Sequence, residues 1–314
     1  MKRIIVLLLS ALMVLSVLSG CDNKKNNNDN KLKVVTTIFP IYDWVREVLG
    51  DVDVDVEALL NNGVDLHSYQ PTVDDIAKIN NADVFMYVGG ESDGWVESVL
   101  ESNKNVRVVN LLEVLGDSVK LEEELEGVEH DHEHDHEDEE EYDEHVWLSL
   151  RNAKKCVEAI KDVLCELDSS NADRYEKNAE EYIEKLELLD QKYMEVVSNS
   201  KNNTLVFGDR FPFRYLVDDY NLNYYAAFAG CSTESEASFN TITFLAKKLD
   251  ELGLTSILKI EGNNHKIAET IIKNTENKNQ EILTLNSMQG SILEGNTYLS
   301  IMENNLEVLK KALN

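Results

Sequence analysis

Basic residues are scarce in this chain. Its 314 residues carry 30 Lys and Arg against 59 Asp and Glu, a net charge of −29, and a field of that sign repels nucleic acid and anionic lipid headgroups as partners. Cysteines are few: Cys21 stands alone near the start, and Cys156, Cys165 and Cys231 follow far downstream. Three cannot all pair, and no two show the C-x-x-C spacing of a metal or redox motif. Cys156 and Cys165 lie nine apart in a helical stretch, too far along one helix to bridge within it. All three read as small core residues without a role. There is no H-E-x-x-H, and no Ser or Cys sits in a nucleophile motif. A zinc hydrolase, which needs an open coordination position and a nearby general base, has no machinery here, so no enzyme is expected.

What is present begins with an address. Met1-Lys2-Arg3 precedes an apolar run from Ile4 to Leu18 interrupted only by Ser10 and Ser16. That pattern describes a secretory signal peptide and is short for a membrane span of about 20 residues. "LSGC" at 18–21 resembles the lipobox of bacterial lipoproteins, which makes Cys21 the lipidation site. "DNKKNNNDNK" behind it has no apolar residue and reads as a flexible tether. The expected organisation is a signal peptide (1–20), a lipidated N-terminus and tether (21–31), and a folded body that is extracytoplasmic and anchored to the cell membrane through its lipid.

Five of the seven histidines fall in "HDHEHDHEDEEEYDEH" at 130–145, inside a stretch from Glu122 to Glu144 that holds fifteen acids and no Lys or Arg. No packed core accommodates it, so 122–144 reads as a disordered loop. His130, His132, His134 and His136 could serve as an auxiliary metal loop: alternating imidazole and carboxylate offers weak, exchangeable sites, whereas one rigid site would require ordering at about 1–2 kcal/mol per residue.

The body alternates strand and helix. "LKVVTTIF" (32–39), "VDVDVEAL" (52–59), "DVFMYV" (83–88) and "VRVVNLL" (106–112) read as strands, with helices between them. "TVDDIAKINNA" opens with a capping-box-like Thr72-x-x-Asp75. The pattern returns after residue 201 with strands at 204–208, 223–230, 256–262 and 281–286. Between the halves, 171–200 has no Gly or Pro and repeats apolar residues by three and four, the pattern of one rigid helix. The expected class is α/β: an N-terminal lobe (32–170), a linking helix (171–200) and a C-terminal lobe (201–314), each lobe a parallel sheet with flanking helices.

Ligands of parallel sheets bind beyond the carboxyl ends of strands. His67 lies in such a loop, "NNGVDLHSYQPT", and His145 marks where the acidic run rejoins apolar "VWLSL". Two imidazoles from separate strand ends can converge on one ion, and tetrahedral zinc then needs two further donors. Glu261 and His265 read as a turn and a helix start.

"TTIFPIYDWVREVLGD", "GVDLHSYQPTVDDI", "DEHVWLSLRNA" and "FRYLVDDYNLNYYAAF" together resemble the metal-binding lipoproteins of zinc and manganese ABC importers, in order over nearly the whole mature chain. The resemblance implies two α/β lobes joined by one long helix, with Zn2+ held between the lobes as the transported ligand. It implies an ABC permease as partner, and a monomer. The family's first ligand, in a G-x-D-P-H-x-Y-E-P-T pattern, falls on His67; its second, in D-x-H-V-W-L-S-P, falls on His145. The third, His or Glu, falls on Arg210, which has no lone pair to offer a metal; the neighbouring Asp209 is the expected substitute. The fourth, often an acid, falls on Asn286. Zinc-specific members carry a His- and acid-rich insertion where 130–144 stands, and imidazole suits zinc while manganese prefers oxygen. The alternatives are a manganese or iron importer subunit of the same fold, and a zinc-buffering surface lipoprotein with a degenerate cleft.

Overall fold

The computed structural model describes residues 31–60, 63–101, 104–128, 141–232, 236–262, 264–290 and 295–314. The expected signal peptide, Cys21 and the loop histidines His130, His132, His134 and His136 lie outside the described residues. Among those described, no helix is long and apolar enough to cross a membrane.

β-branched and apolar residues build two four-stranded sheets. β1 (Lys33–Thr36), β2 (Asp55–Ala58), β3 (Val84–Tyr87) and β4 (Arg107–Asn110) form the first, in the order β2-β1-β3-β4. β5 (Thr204–Phe211), β6 (Asn223–Ala229), β7 (Ser256–Lys259) and β8 (Glu281–Thr284) form the second, in the order β6-β5-β7-β8. All pairings are parallel, so the same topology occurs twice. In each sheet the chain winds outward in both directions from the strand pair at the centre. That switch point is where loops part and leave a crevice.

Several element boundaries differ from the sequence expectation, and three of them have a plain local cause or bear on the site. The first strand stops at Thr36 because the helix Phe39–Leu49 begins immediately, with a proline in its first turn where the fixed φ is already helical. The fourth strand stops at Asn110, whose side chain accepts the Glu113 N–H and caps the helix Leu111–Leu115. β5 continues three residues beyond Gly208, through a register shift between Phe207 and Arg210, and this extension carries Asp209 and Arg210 to the carboxyl end of the sheet.

The helix Ala172–Ser198 is the strut, roughly 40 Å long at 1.5 Å per residue. Its buried face is Tyr175, Ala179, Tyr182, Leu186, Leu189 and Tyr193, the stripe visible in the sequence. The Tyr193 hydroxyl donates to the Met302 carbonyl at 2.7 Å. One continuous hydrophobic core runs from the first sheet past this helix into the second, and a smaller cluster around Val206, Phe228, Leu245 and Ile257 lies in the C-terminal half. Asp43 accepts the Tyr298 backbone N–H at 2.8 Å, a further tie between the halves.

Residues 122–128 and 141–144, at the two feet of the span expected to be disordered, are among the described residues. Leu121 bridges to Tyr142, Glu122 N–H donates to the Glu141 carbonyl, and Asp143 N–H donates to the Lys120 carbonyl. Paired backbone groups hold the two feet of the run to each other.

Candidate metal centre

His67 occupies a single helical turn, Leu66–Ser68, after β2. Asp65 caps that turn by accepting the His67 N–H at 3.1 Å, and its other oxygen takes the Arg210 guanidinium at 2.7 Å. Burial works against the Asp65 carboxylate, but the hydrogen bond and charge of Arg210 hold it below its ordinary pKa. His67 Nδ1 lies 2.8 Å from the Ser92 hydroxyl, in the loop after β3. Ser92 is held by Glu144, which accepts its N–H at 2.8 Å.

His145 is fully buried. Its Nδ1 lies 2.9 Å from Asp143 Oδ1, a carboxylate that can only accept, so Nδ1 carries the proton and Nε2 presents its lone pair. The same carboxylate accepts the His145 backbone N–H. This is the second sphere that metal-binding imidazoles require for a fixed tautomer and orientation.

The two Nε2 atoms face each other at 3.1 Å. Bonds of about 2.0–2.1 Å from both to one ion would meet at roughly 100°, near the tetrahedral angle. The Gln289 amide nitrogen sits 2.8 Å from each of them. Cys231 completes a group with the two histidines in which the donor atoms lie within 4.8 Å of one another. A cavity of about 220 Å³ opens beside them, lined by His67 and Cys231 together with Glu91, Glu122, Glu141 and Glu144. Burial raises the pKa of Glu122, Glu141 and Glu144. An acidic mouth of this kind concentrates cations at its entrance.

Two expected ligands stand elsewhere. Asp209 accepts the Arg210 N–H at 2.9 Å and the Ile260 N–H at 3.1 Å, so it ties the end of β5 to the end of β7 and is not a member of the donor group. Asn286 turns its side-chain oxygen to the Met288 N–H at 2.8 Å, an Asx turn. That turn helps hold Met288 at a φ of 60°, uncommon for such a side chain, and aims Gln289 three residues on at the histidines. Nothing in the spacing of "LNSMQ" signals this, because it depends on the turn. The reading of Cys231 as a core residue also changes: it is half-buried beside the histidines, while Cys156 is buried and Cys165 half-buried away from them. Glu261, read as a turn residue, accepts both the N–H and the hydroxyl of Ser287 and so braces the same loop.

Burial first, then the neighbouring His145, pushes the His67 imidazole down to about 4, against about 6.5 for an unfolded histidine. Between those values the unfolded chain binds a proton that the folded chain refuses, so stability falls as pH falls. Buried carboxylates with raised pKa act oppositely in that window, and a difference measurement isolates the histidine. Metal-free protein should lose stability relative to its His67→Gln variant as pH drops from about 6.5 to about 4; paired chemical denaturation curves at each pH check this. Equal slopes for the two proteins would contradict it.

Two parallel-sheet lobes on one helical strut, with the strand ends facing a shared cleft, define the class of solute-binding proteins that serve metal importers. The chain matches the family model "Zinc-uptake complex component A periplasmic" over residues 34–312 and belongs to that family. It is 34% identical over 314 residues to the zinc-binding lipoprotein AdcA of Streptococcus pneumoniae strain TIGR4, covering 99% of this chain but 61% of AdcA, so it spans about three-fifths of that relative's length. It is 32% identical to the high-affinity zinc uptake system protein ZnuA of Bacillus subtilis strain 168, covering 97% of this chain and 96% of the relative. Its fold is similar to a Zn(II)-bound variant of AdcAII from Streptococcus pneumoniae, with a TM-score of 0.75, 31% identity, and coverage of 91% of this chain and all of that one.

Proposed function

We propose that this chain is an extracytoplasmic, lipid-anchored receptor that captures Zn2+ in the cleft between its lobes and delivers it to an ABC permease, without bond-making chemistry. The observation that carries the reading is the pair of imidazole nitrogens 3.1 Å apart, one backed by Asp143 and the other by Ser92. Imidazole donors suit zinc better than manganese, and Asp143 fixes the tautomer of His145. Names and metal content among the relatives support the same cargo. Because the lobes share one core, uptake and release fall to the loops carrying His67, Cys231 and Gln289 rather than to a wide hinge. The histidine-rich run collects zinc near the mouth, since its feet at Glu122 and Glu141 border the cavity.

Calorimetric titration with Zn2+ and Mn2+ tests this, beside His67→Ala and a deletion of residues 129–140. The deletion must stop short of Asp143, which supports His145. A single tight zinc event, abolished by His67→Ala and spared by the deletion while the stoichiometry falls, is the expected result. Weak multiple binding that disappears with the deletion would identify a zinc-buffering lipoprotein with a degenerate cleft. Tighter binding of Mn2+ than Zn2+ would identify a manganese receptor.

A further inference from the structure

Arg210 occupies the place of an expected ligand and is tied to Asp65, which leaves the histidine pair in need of other donors. We propose that Cys231 supplies one as a thiolate, and that Gln289 closes the fourth position through its amide oxygen. This deepens the capture reading above and rests on it.

Cys231 follows β6 directly after Gly230, and a Cβ built on Gly230 would stand 3.0 Å from His145 Cε1 and 2.9 Å from the Phe211 carbonyl. Only glycine lets the Cys231 loop close this tightly onto the buried imidazole. In a tetrahedral site with Zn–S of about 2.3 Å and Zn–N of about 2.05 Å, neighbouring N and S donors stand roughly 3.6 Å apart. The 4.8 Å envelope of this group therefore needs only a small contraction around an ion.

Gln289 carries a hydrogen-bonding conflict. In the present rotamer its amide nitrogen points between the imidazoles and its oxygen lies 3.1 Å from the Ser287 hydroxyl. That hydroxyl also lies 2.9 Å from Glu261 Oε1, and its one proton cannot serve both acceptors. Rotating the amide by half a turn resolves the conflict, since oxygen and nitrogen positions in an amide are an assignment. Ser287 then donates to Glu261 and accepts from the Gln289 amide, and the amide oxygen points between the two Nε2 atoms.

Among the described residues, Glu144 Oε2 and Glu122 Oε1 are buried without a hydrogen-bond donor, and the former is 3.8 Å from His67. Orphaned carboxylate oxygens are what a cavity awaiting a cation contains. One thiolate on a divalent ion leaves a single positive charge beside them. Binding forms the sulfur–metal bond and releases the thiol proton to water in the cavity that Cys231 and Glu122 line. A coordinated thiol is deprotonated by the ion itself. The thiolate makes the site selective for thiophilic ions such as Zn2+ and Cd2+ over Mn2+.

Cobalt(II) substitution of the purified protein reads sulfur ligation directly. The Co2+ complex should show an intense near-ultraviolet thiolate-to-cobalt charge-transfer band, absent in Cys231→Ser and retained when Cys156 and Cys165 are each replaced by serine. Loss of a residue that merely supports a ligand lowers affinity about 10–100-fold, so Cys231→Ala should lower zinc affinity by about 100-fold or more. In the unmutated protein Zn2+ should shield Cys231 from alkylation, read by peptide mass spectrometry, and Mn2+ should not. The thiolate assignment is overturned if the band is absent, alkylation is unaffected by zinc and Cys231→Ala binds zinc as tightly as before. If His67→Ala still abolishes tight binding in that case, the capture reading stands without the cysteine. If the unmutated protein has no tight zinc event, both readings fall together.

Discussion

Replacing His145 by alanine should reduce zinc affinity at the cleft by about 1,000-fold, some 4 kcal/mol, a functional effect of the same order as that expected of His67→Ala. The imidazole is one of two nitrogen donors, and its lone pair is already aimed by Asp143. Two of the groups against its ring offer no substitute: Trp147 is an N–H donor with no lone pair to give, and Gly230 has no side chain. Competition against a chromophoric chelator measures the affinity. A second readout comes from linkage, because a ligand bound only to the folded state raises the melting temperature in proportion to the logarithm of its concentration over Kd. Saturating zinc should raise the melting temperature of the natural protein strongly and that of His145→Ala hardly at all. A variant that retained the full zinc-induced shift would remove His145 from the site.

The largest loss of stability should come from Trp147→Ala, at about 3–5 kcal/mol. This ring is fully buried, and its indole N–H donates to the Ser287 carbonyl at 2.8 Å. Its own carbonyl accepts the Tyr298 hydroxyl at 2.7 Å. It therefore joins the segment carrying His145 to the loop carrying Gln289, and both to the C-terminal helix. Truncation would open a cavity and leave the Ser287 carbonyl without its partner. Trp147→Phe separates the contributions: most of the packing is kept and the indole bond is lost, so the loss should fall to about 1–3 kcal/mol. Chemical denaturation of the metal-free protein checks both variants. Equal losses for the two would place the whole effect in the hydrogen bond and contradict the packing argument.

Trp147 also illustrates how unevenly the site was written into the chain. The segment "EHVWLSL" announces both its ligand and its burial, because a histidine set between an acidic run and an apolar one stands where a solvated segment enters the core. His67 was legible through its loop and its family pattern. Asp209 was not: as a carboxylate next to a misfit arginine it looked like a donor, but the irregular end of β5 directs it to the Arg210 and Ile260 amides. Asn286 misled in a related way. Its side chain serves the turn rather than the cleft, and the residue that turn presents is Gln289. Cys231 escaped notice because motif reasoning looks for cysteines paired in sequence, whereas this one meets histidines 164 and 86 positions away in the numbering.

By itself the sequence determined the parts that depend on local periodicity and composition. Apolar runs, capping residues and an unbroken helical stripe led to the two α/β halves and the strut between them, and the acidic histidine run stood out by composition alone. These are properties of neighbours along the chain, and local backbone preference enforces them. Only the tertiary structure decided which side chains share the cleft. The doubled strand order delivers the loops after β2, β3, β6 and β8 to one place, and a register shift, an Asx turn and a glycine then choose among their residues. Such choices are made by packing between segments distant in sequence, where a displacement of one residue or half a turn of an amide exchanges a ligand for a support.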